Sequence, residues 1–357
     1  MKRSTRGSCA TKVALPMLLG LLWQLLEASI DPLAALQQAQ FDEGFPLRVE
    51  EISIVGLEHE LGIVADAALG PDGSVHVADM GNAEVVAFDH TGDLAWRSGG
   101  SGDGPGEFRA LYRLTVAADG TVYVYDPSAN AISRLSSAGS FIDRQQLAFG
   151  FAKMDDLVVD GDGRLAIVGI APRGPSPDSA IHVFDSELLY VSSFAPAPVA
   201  ANPMSLAYSG AGTIALTPDG RALFVRRLPY EIHDYSLTGR RFTVIEAPFS
   251  YDLTPDDAIS ITEQSDRIEF GRPTSEVPVF HAAISLTDST FVVGRREGTS
   301  RYWDLFTRDG RHIASTSVPN DWGVMVGYDL GRRVLWVLGE HRFEPVLRRL
   351  RLDPKGL

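Results

Sequence analysis

The chain reads as all-β, a six-bladed β-propeller of four-stranded antiparallel blades, and three observations predict this. A long phrase recurs: residues 64–92 are VADAALGPDGSVHVADMGNAEVVAFDHTG and residues 114–139 are LTVAADGTVYVYDPSANAISRLSSAG. Each runs apolar strand, Asp-Gly turn, alternating strand, Asp with a polar loop, strand, Gly turn, as the short strands of a propeller blade do. The turns continue down the chain at Asp72-Gly73, Asp119-Gly120, Asp162-Gly163 and Asp219-Gly220. Glycine accepts positive φ and aspartate tolerates it, so each dipeptide suits a tight hairpin. Finally, residues 47–56 (LRVEEISIVG) alternate as a lone strand, while the last repeat shows only three strands. This N-terminal strand is expected to complete the last blade, closing the ring and removing a free sheet edge.

In chain order, residues 1–30 read as an export signal. Residues 1–12 are basic, and residues 13–26 (VALPMLLGLLWQLL) are apolar and short for a membrane span. Ala28 and Ser29 then offer small residues for cleavage. Uncleaved, the same segment would act as an anchor. An extracytoplasmic location, periplasmic or secreted, follows. Cys9, the only cysteine, precedes the apolar run, so the mature body has no disulfide, thiolate metal site or cysteine nucleophile. Residues 31–46 read as a linker and residues 47–357 as the propeller. Its blades lie near 61–98, 112–147, 154–194, 212–246, 279–318 and 324–352. Residues 249–278 are an insertion between blades four and five. There Thr254-Pro255-Asp256-Asp257 supplies an N-cap, a first-turn proline and first-turn acids, predicting a short helix over 255–264.

The formal net charge is -14 over 357 residues. Without residues 1–30, 28 basic residues face 45 acidic ones, a body near -17. Such a surface repels nucleic acid and anionic membranes, so neither is an expected partner. Only an uncleaved N-terminal segment would attach the chain to a membrane.

Function in a propeller resides in its loops and mouth rather than in its scaffold. Counting from the turns sets Asp79, Asp126, Gly169, Arg227, Arg295 and Gly339 at the ends of second strands, on one face of the ring. Acids come from blades one and two, and arginines from the opposite blades four and five. Arg296 and, in blade six, Arg342 add to the basic side. Guanidinium forks match carboxylate or phosphate. A polarised mouth of this kind suits a small anionic or zwitterionic ligand, or a protein partner. The same arginines equally suit ion pairs with neighbouring acids. A second lip, at the starts of the first strands, holds Asp66, Arg113, Asp156, Thr213, Ala282 and Val324, with Tyr112, Asp155 and His281 beside them. Tyr112 and Arg113 join the candidate ligand surface. Asp66 and Asp156 offer oxygen ligands to calcium; zinc is served less well, since His281 is the lip's one histidine. The pattern requires no cofactor. No G-x-S-x-G elbow, H-E-x-x-H helix or P-loop occurs.

Residues 99–108 (GGSGDGPGEF) and the aliphatic, Asp-Gly, strand, Asp, polar, Asn pattern after them resemble the NHL-repeat propellers. More widely, the chain is similar to exported bacterial six-bladed propellers. The match is sharp in blades one and two and fades towards five and six. The resemblance implies six four-stranded blades around a channel and no single activity. Relatives include peptidyl-amidating lyases, gluconolactonase-like hydrolases, and members that bind proteins, sugars or RNA. Two function classes therefore stand. One is an exported, non-catalytic binding or scaffolding propeller. The other is a metal-assisted hydrolase or lyase, with Asp66, Asp156 and His281 as metal ligands and an arginine stabilising oxyanion charge.

Overall fold

The computed structural model describes residues 45–354, apart from 57, 202, 248–250, 252, 265–266 and 274–277. The export signal and nearly all of the linker lie outside the described residues. Among the described residues, no helix is long and apolar enough to cross a membrane.

Six four-stranded antiparallel sheets follow one another as the blades of a propeller. Their first strands are Val64–Leu69, Arg113–Val116, Lys153–Val159, Gly212–Leu216, Val279–Ser285 and Val324–Asp329. Second strands such as Val75–Asp79, Val122–Asp126 and Leu165–Ile170 are buried at every position. Each blade packs both faces on its neighbours, so these strands carry apolar residues on both sides instead of alternating. The core is accordingly a ring of layers between blades. Tyr123, Tyr125 and Ile132 of blade two pack with Leu157, Leu165 and Ile167 of blade three. Phe224 of blade four packs with Val168 and Ile181 of blade three. Val77 and Phe88 of blade one pack with Trp336 of blade six. At the first turns Gly73, Gly120, Gly163 and Gly220 hold φ of 75–85°, the conformation that favours glycine.

The ring closes as the sequence predicts. Leu47–Val55 pairs antiparallel with Glu344–Pro354, from Leu47 opposite Pro354 to Val55 opposite Leu347. Closure also gives Arg348, only 2 % exposed, a carboxylate partner: its Nη1 donates to Glu51 Oε2 at 2.8 Å. A chain starting at residue 56 would bare the backbone edge of Glu344–Pro354 and leave Arg348 short of a partner. It is expected to melt earlier than the parent and to associate with rising concentration, as light scattering would show. An equally stable monomer would contradict this account of closure.

The insertion departs from its expected helix. Pro255–Ala258 forms a single 3₁₀ turn. The expected Thr254 side-chain cap is reversed: Asp257 Oδ2 accepts the Thr254 N–H at 2.6 Å and the Thr254 hydroxyl at 2.9 Å. Beyond the turn, Ile259–Gln264 pairs antiparallel with Arg267–Pro273. The β-branched run Ile259, Ile261 and Thr262 favours a pleated strand, and that preference outweighs the cap. An unexpected helix, α1 (Pro203–Ser209), precedes blade four.

Candidate functional site

The six first strands wall a central channel of about 540 Å³. The second lip read from the sequence assembles there. Asp66, Tyr112, Arg113, Asp155, Asp156, Thr213, Ala282, His281 and Val324 all line the channel. Of the first lip only Arg227 does so.

Register explains Arg227. Asp79 stands opposite Glu84, and Arg226 stands opposite Glu231 in the corresponding hairpin. Arg226, six residues after Gly220, is therefore the true counterpart of Asp79. Arg227 lies one residue further on, and that step places it on the channel wall.

The remaining first-lip residues do other work. Asp79 is fully buried and accepts from the Gly62 N–H at 2.9 Å, the Asn82 N–H at 3.1 Å and Asn82 Nδ2 at 2.8 Å. Asp126 likewise accepts backbone N–H groups of Arg109, Ser128 and Ala129 at 2.8, 2.9 and 3.1 Å. Both cap their own hairpin turn and tie down the segment entering the blade, so they are not the exposed acidic lip expected. Arg295 is 5 % exposed; its Nε donates to Asp304 Oδ2 at 2.6 Å and it pairs with Glu297. Its guanidinium also lies over the Tyr302 ring, 4.3 Å from the centroid. Arg295 is a staple inside blade five, not a ligand arm. Arg296 is exposed, and Arg342 is exposed in the hairpin joining Val334–His341 to Glu344–Pro354.

Within the channel, the acids of blades one and three are already engaged. Arg113 Nε donates to the Asp155 carbonyl at 2.8 Å, and its Nη1 donates to the Ala65 carbonyl at 3.0 Å. Blade two thereby bridges blades one and three. Asp66 Oδ2 accepts the Leu114 N–H at 3.1 Å. Asp156 Oδ2 accepts the Ile214 N–H at 3.0 Å and the Thr213 hydroxyl, while its Oδ1 accepts the Leu157 N–H at 2.8 Å. Asp155 Oδ2 accepts the Ala211 N–H at 2.6 Å, and its Oδ1 lies 3.5 Å from Lys153 Nζ. Asp66 and Asp156 each fasten their own blade to the next one. Burial raises the Asp66 carboxyl and pushes Asp156 up to about 6, against the hydrogen bonds from Thr213 and Ile214. Burial works against the Arg113 charge, but Asp66, Tyr112, Asp156 and Asp155 outweigh it and hold the group above its ordinary value.

The side formed by blades four and five is different. Arg227 is 6 % exposed, with its Nη1 3.5 Å from the Tyr208 carbonyl and its buried Nε without an acceptor. Among the described residues it makes no ion pair. Burial lowers its pKa, and Arg296 and Arg113 push the same way against Asp155. His281 is pulled down to about 3, first by burial and then by Arg301, Arg296, Arg227 and Arg113. Arg301 Nη1, which can only donate, lies 3.4 Å from His281 Nε2. The neutral ring therefore accepts at Nε2 and carries its proton on Nδ1.

His281 gives the fold a pH signature. Its folded pKa lies below the unfolded value of 6.5, so its contribution is complete above pH 6.5 and is lost as pH falls towards 3. Asp156 acts oppositely: raised to about 6, it favours the folded state below about pH 4, an advantage lost as pH rises through 6. Comparing variants separates the two. His281→Gln is expected to gain on wild type by up to about 1.4 kcal/mol per pH unit as pH falls from 6.5 to 5. Urea unfolding of both proteins at pH 7 and pH 5 would measure this, and parallel losses would contradict it.

Arg113 places its guanidinium on the carbonyls preceding Asp66 and Asp156, whose oxygens already accept backbone N–H groups. His281 stands on blade five among arginines. Among the described residues, no group of three His, Cys, Asp or Glu side chains converges as a metal site.

Among the channel residues that sequence reasoning missed are Lys153 and Tyr208. Lys153 opens the first strand of blade three, so the turn count that found Asp156 reaches it. Tyr208, 41 % exposed, sits on α1, and its carbonyl accepts from Lys153 Nζ at 3.1 Å. The signal for α1 was in the sequence: Asn202 before Pro203, the helix formers Met204, Leu206 and Ala207, and Gly210 past the end.

No protein-family model and no curated protein matches the chain. Solved structures do. A Bacteroides fragilis protein inferred to be exported superposes with a TM-score of 0.61 at 13% identity, covering 86% of this chain and 96% of that one. A member of the duf4221 family from Bacteroides vulgatus gives a TM-score of 0.56 at 10% identity, covering 87% of this chain and 99% of that one. Virginiamycin B lyase from Staphylococcus aureus gives 0.51 at 14% identity, covering 86% of this chain and 100% of that one. At these identities the likeness is one of fold. The chain is a six-bladed β-propeller, similar in architecture to these three proteins.

Proposed function

We propose that the protein is an exported, non-catalytic binding propeller whose channel mouth holds a small organic anion. One observation carries this reading. Arg227 is buried in the channel, beside other cations, with a donor that has no acceptor. A buried charge without a partner is costly, and an anionic ligand would repay that cost on binding. The Nδ1 proton of neutral His281 and the exposed Arg296 supply further donors on the same side. The opposing acids are spent on backbone N–H groups, which favours an anion over a zwitterion. Export rests on the apolar run at residues 13–26 and on the likeness to a protein inferred to be exported. Residues 99–108 and the repeats after them support placing the chain among NHL-repeat-like propellers.

Titration calorimetry and thermal melts with inorganic phosphate, short carboxylates and calcium test the proposal. Anions are expected to bind and to stabilise, by about 2.7 kcal/mol at a hundredfold excess over Kd. Stabilisation by calcium with no anion binding would overturn it.

A further inference from the structure

We infer that the bound anion is amphipathic, with its charged head against Arg227 and His281 and an unbranched apolar body running down the channel. This rests on the anion-binding reading above. The observation is a division along the channel wall. Where the first strands begin, the wall carries Arg113, Lys153, Arg227 and His281. Where they finish, it carries Leu69, Val116, Val159, Leu216 and Ile284, one aliphatic residue from each of five blades, with Ser285 and Tyr328 as the polar residues at that level. Leu69, Val116 and Leu216 pack part of their surface on the layers between blades, line the channel and are only half-buried.

Water in such a section finds few partners, and a body rich in hydroxyl groups would have only Ser285 and Tyr328 to replace the hydrogen bonds it loses. Methylene groups lose nothing and gain by leaving water. The dimensions agree. From Asp66 to Leu69 the strand advances three residues, about 10 Å at roughly 3.3 Å each. A linear acid of roughly eight carbons spans that length, given C–C bonds of about 1.5 Å set in a zigzag. The volume of about 540 Å³ is that of a small-molecule site.

Calorimetry with linear carboxylates from propionate to dodecanoate tests the inference, with inorganic phosphate as the chain-free anion. Affinity is expected to rise about fourfold per methylene and to level off near eight carbons. Leu216→Asn, which sets an amide in the aliphatic section, is expected to flatten that rise. If Leu216→Asn fails to fold, the length series on the wild-type protein decides alone. Phosphate and short acids binding through Arg227, with no dependence on chain length, would overturn the amphipathic ligand and leave the anion site standing. Binding of the long acids that Arg227→Met leaves undiminished would be surface adsorption and would overturn it too. No binding by any anion would remove both readings.

Discussion

Arg227→Met is expected to weaken anion binding at least 30-fold while making the folded protein more stable. The two effects share one cause. Arg227 is almost wholly buried, has no carboxylate partner among the described residues, and leaves its Nε without an acceptor. Replacing a buried charge that has no ion pair by an apolar side chain of similar length removes a desolvation penalty of up to several kcal/mol per ion, so a net gain in stability is expected. The same change removes the guanidinium that meets the ligand, a loss of about 2 kcal/mol or more. Stability and binding should therefore move in opposite directions, as they do where a site is held ready at the expense of the fold. Calorimetry with phosphate and urea unfolding read the two effects separately. A variant that is destabilised, with anion affinity intact, would mark Arg227 as structural.

Arg295→Ala is expected to do the reverse: a loss of about 3–5 kcal/mol in stability with anion affinity unchanged. Asp304, its partner, is completely buried. The aspartate also accepts from the Tyr230 hydroxyl at 3.2 Å and from Ser315 Oγ at 2.6 Å. These neutral donors do not replace the guanidinium, so the truncation strands a carboxylate inside blade five. Converting Arg295 and Asp304 together to Met and Leu should recover much of the loss, because the pair then disappears as a unit. Urea unfolding of the single and double variants measures the difference. A mild single variant would show that the Asp304 carboxylate is satisfied without Arg295.

These two arginines show what was legible in the sequence. The ring of blades was open to reading because one phrase repeats and because Asp-Gly turns have a local backbone reason. The closing strand at residues 47–55 followed from a missing fourth partner in blade six. The channel lip was legible too: within a blade the turn fixes the register, so counting back from it finds Asp66, Asp156 and His281. The fate of each polar side chain was not. Asp79 and Asp126 look like displayed acids in sequence, yet each turns inward to cap its own hairpin. Arg295 looks like Arg227 in sequence, yet its partner Asp304 is on the next strand of the same blade. Arg226 ends its strand and pairs with Glu231, whereas Arg227, one residue on, lies in the turn beyond the strand and lines the channel. The helix expected at 255–264 failed because its start signal is real but its body is β-branched. Partnership of this kind is settled by packing between segments far apart in the chain, which local pattern does not encode.

The most direct measurement is arginine side-chain NMR, following the Nε–Hε correlations during titration with phosphate and with a linear carboxylate. Assignment would use Arg227→Met and Arg295→Met. The account requires the Arg227 signal to shift and saturate with the calorimetric affinity while the Arg295 signal stays still. An unmoved Arg227, or equal shifts across the exposed arginines, would contradict the claim that the channel mouth is an anion site.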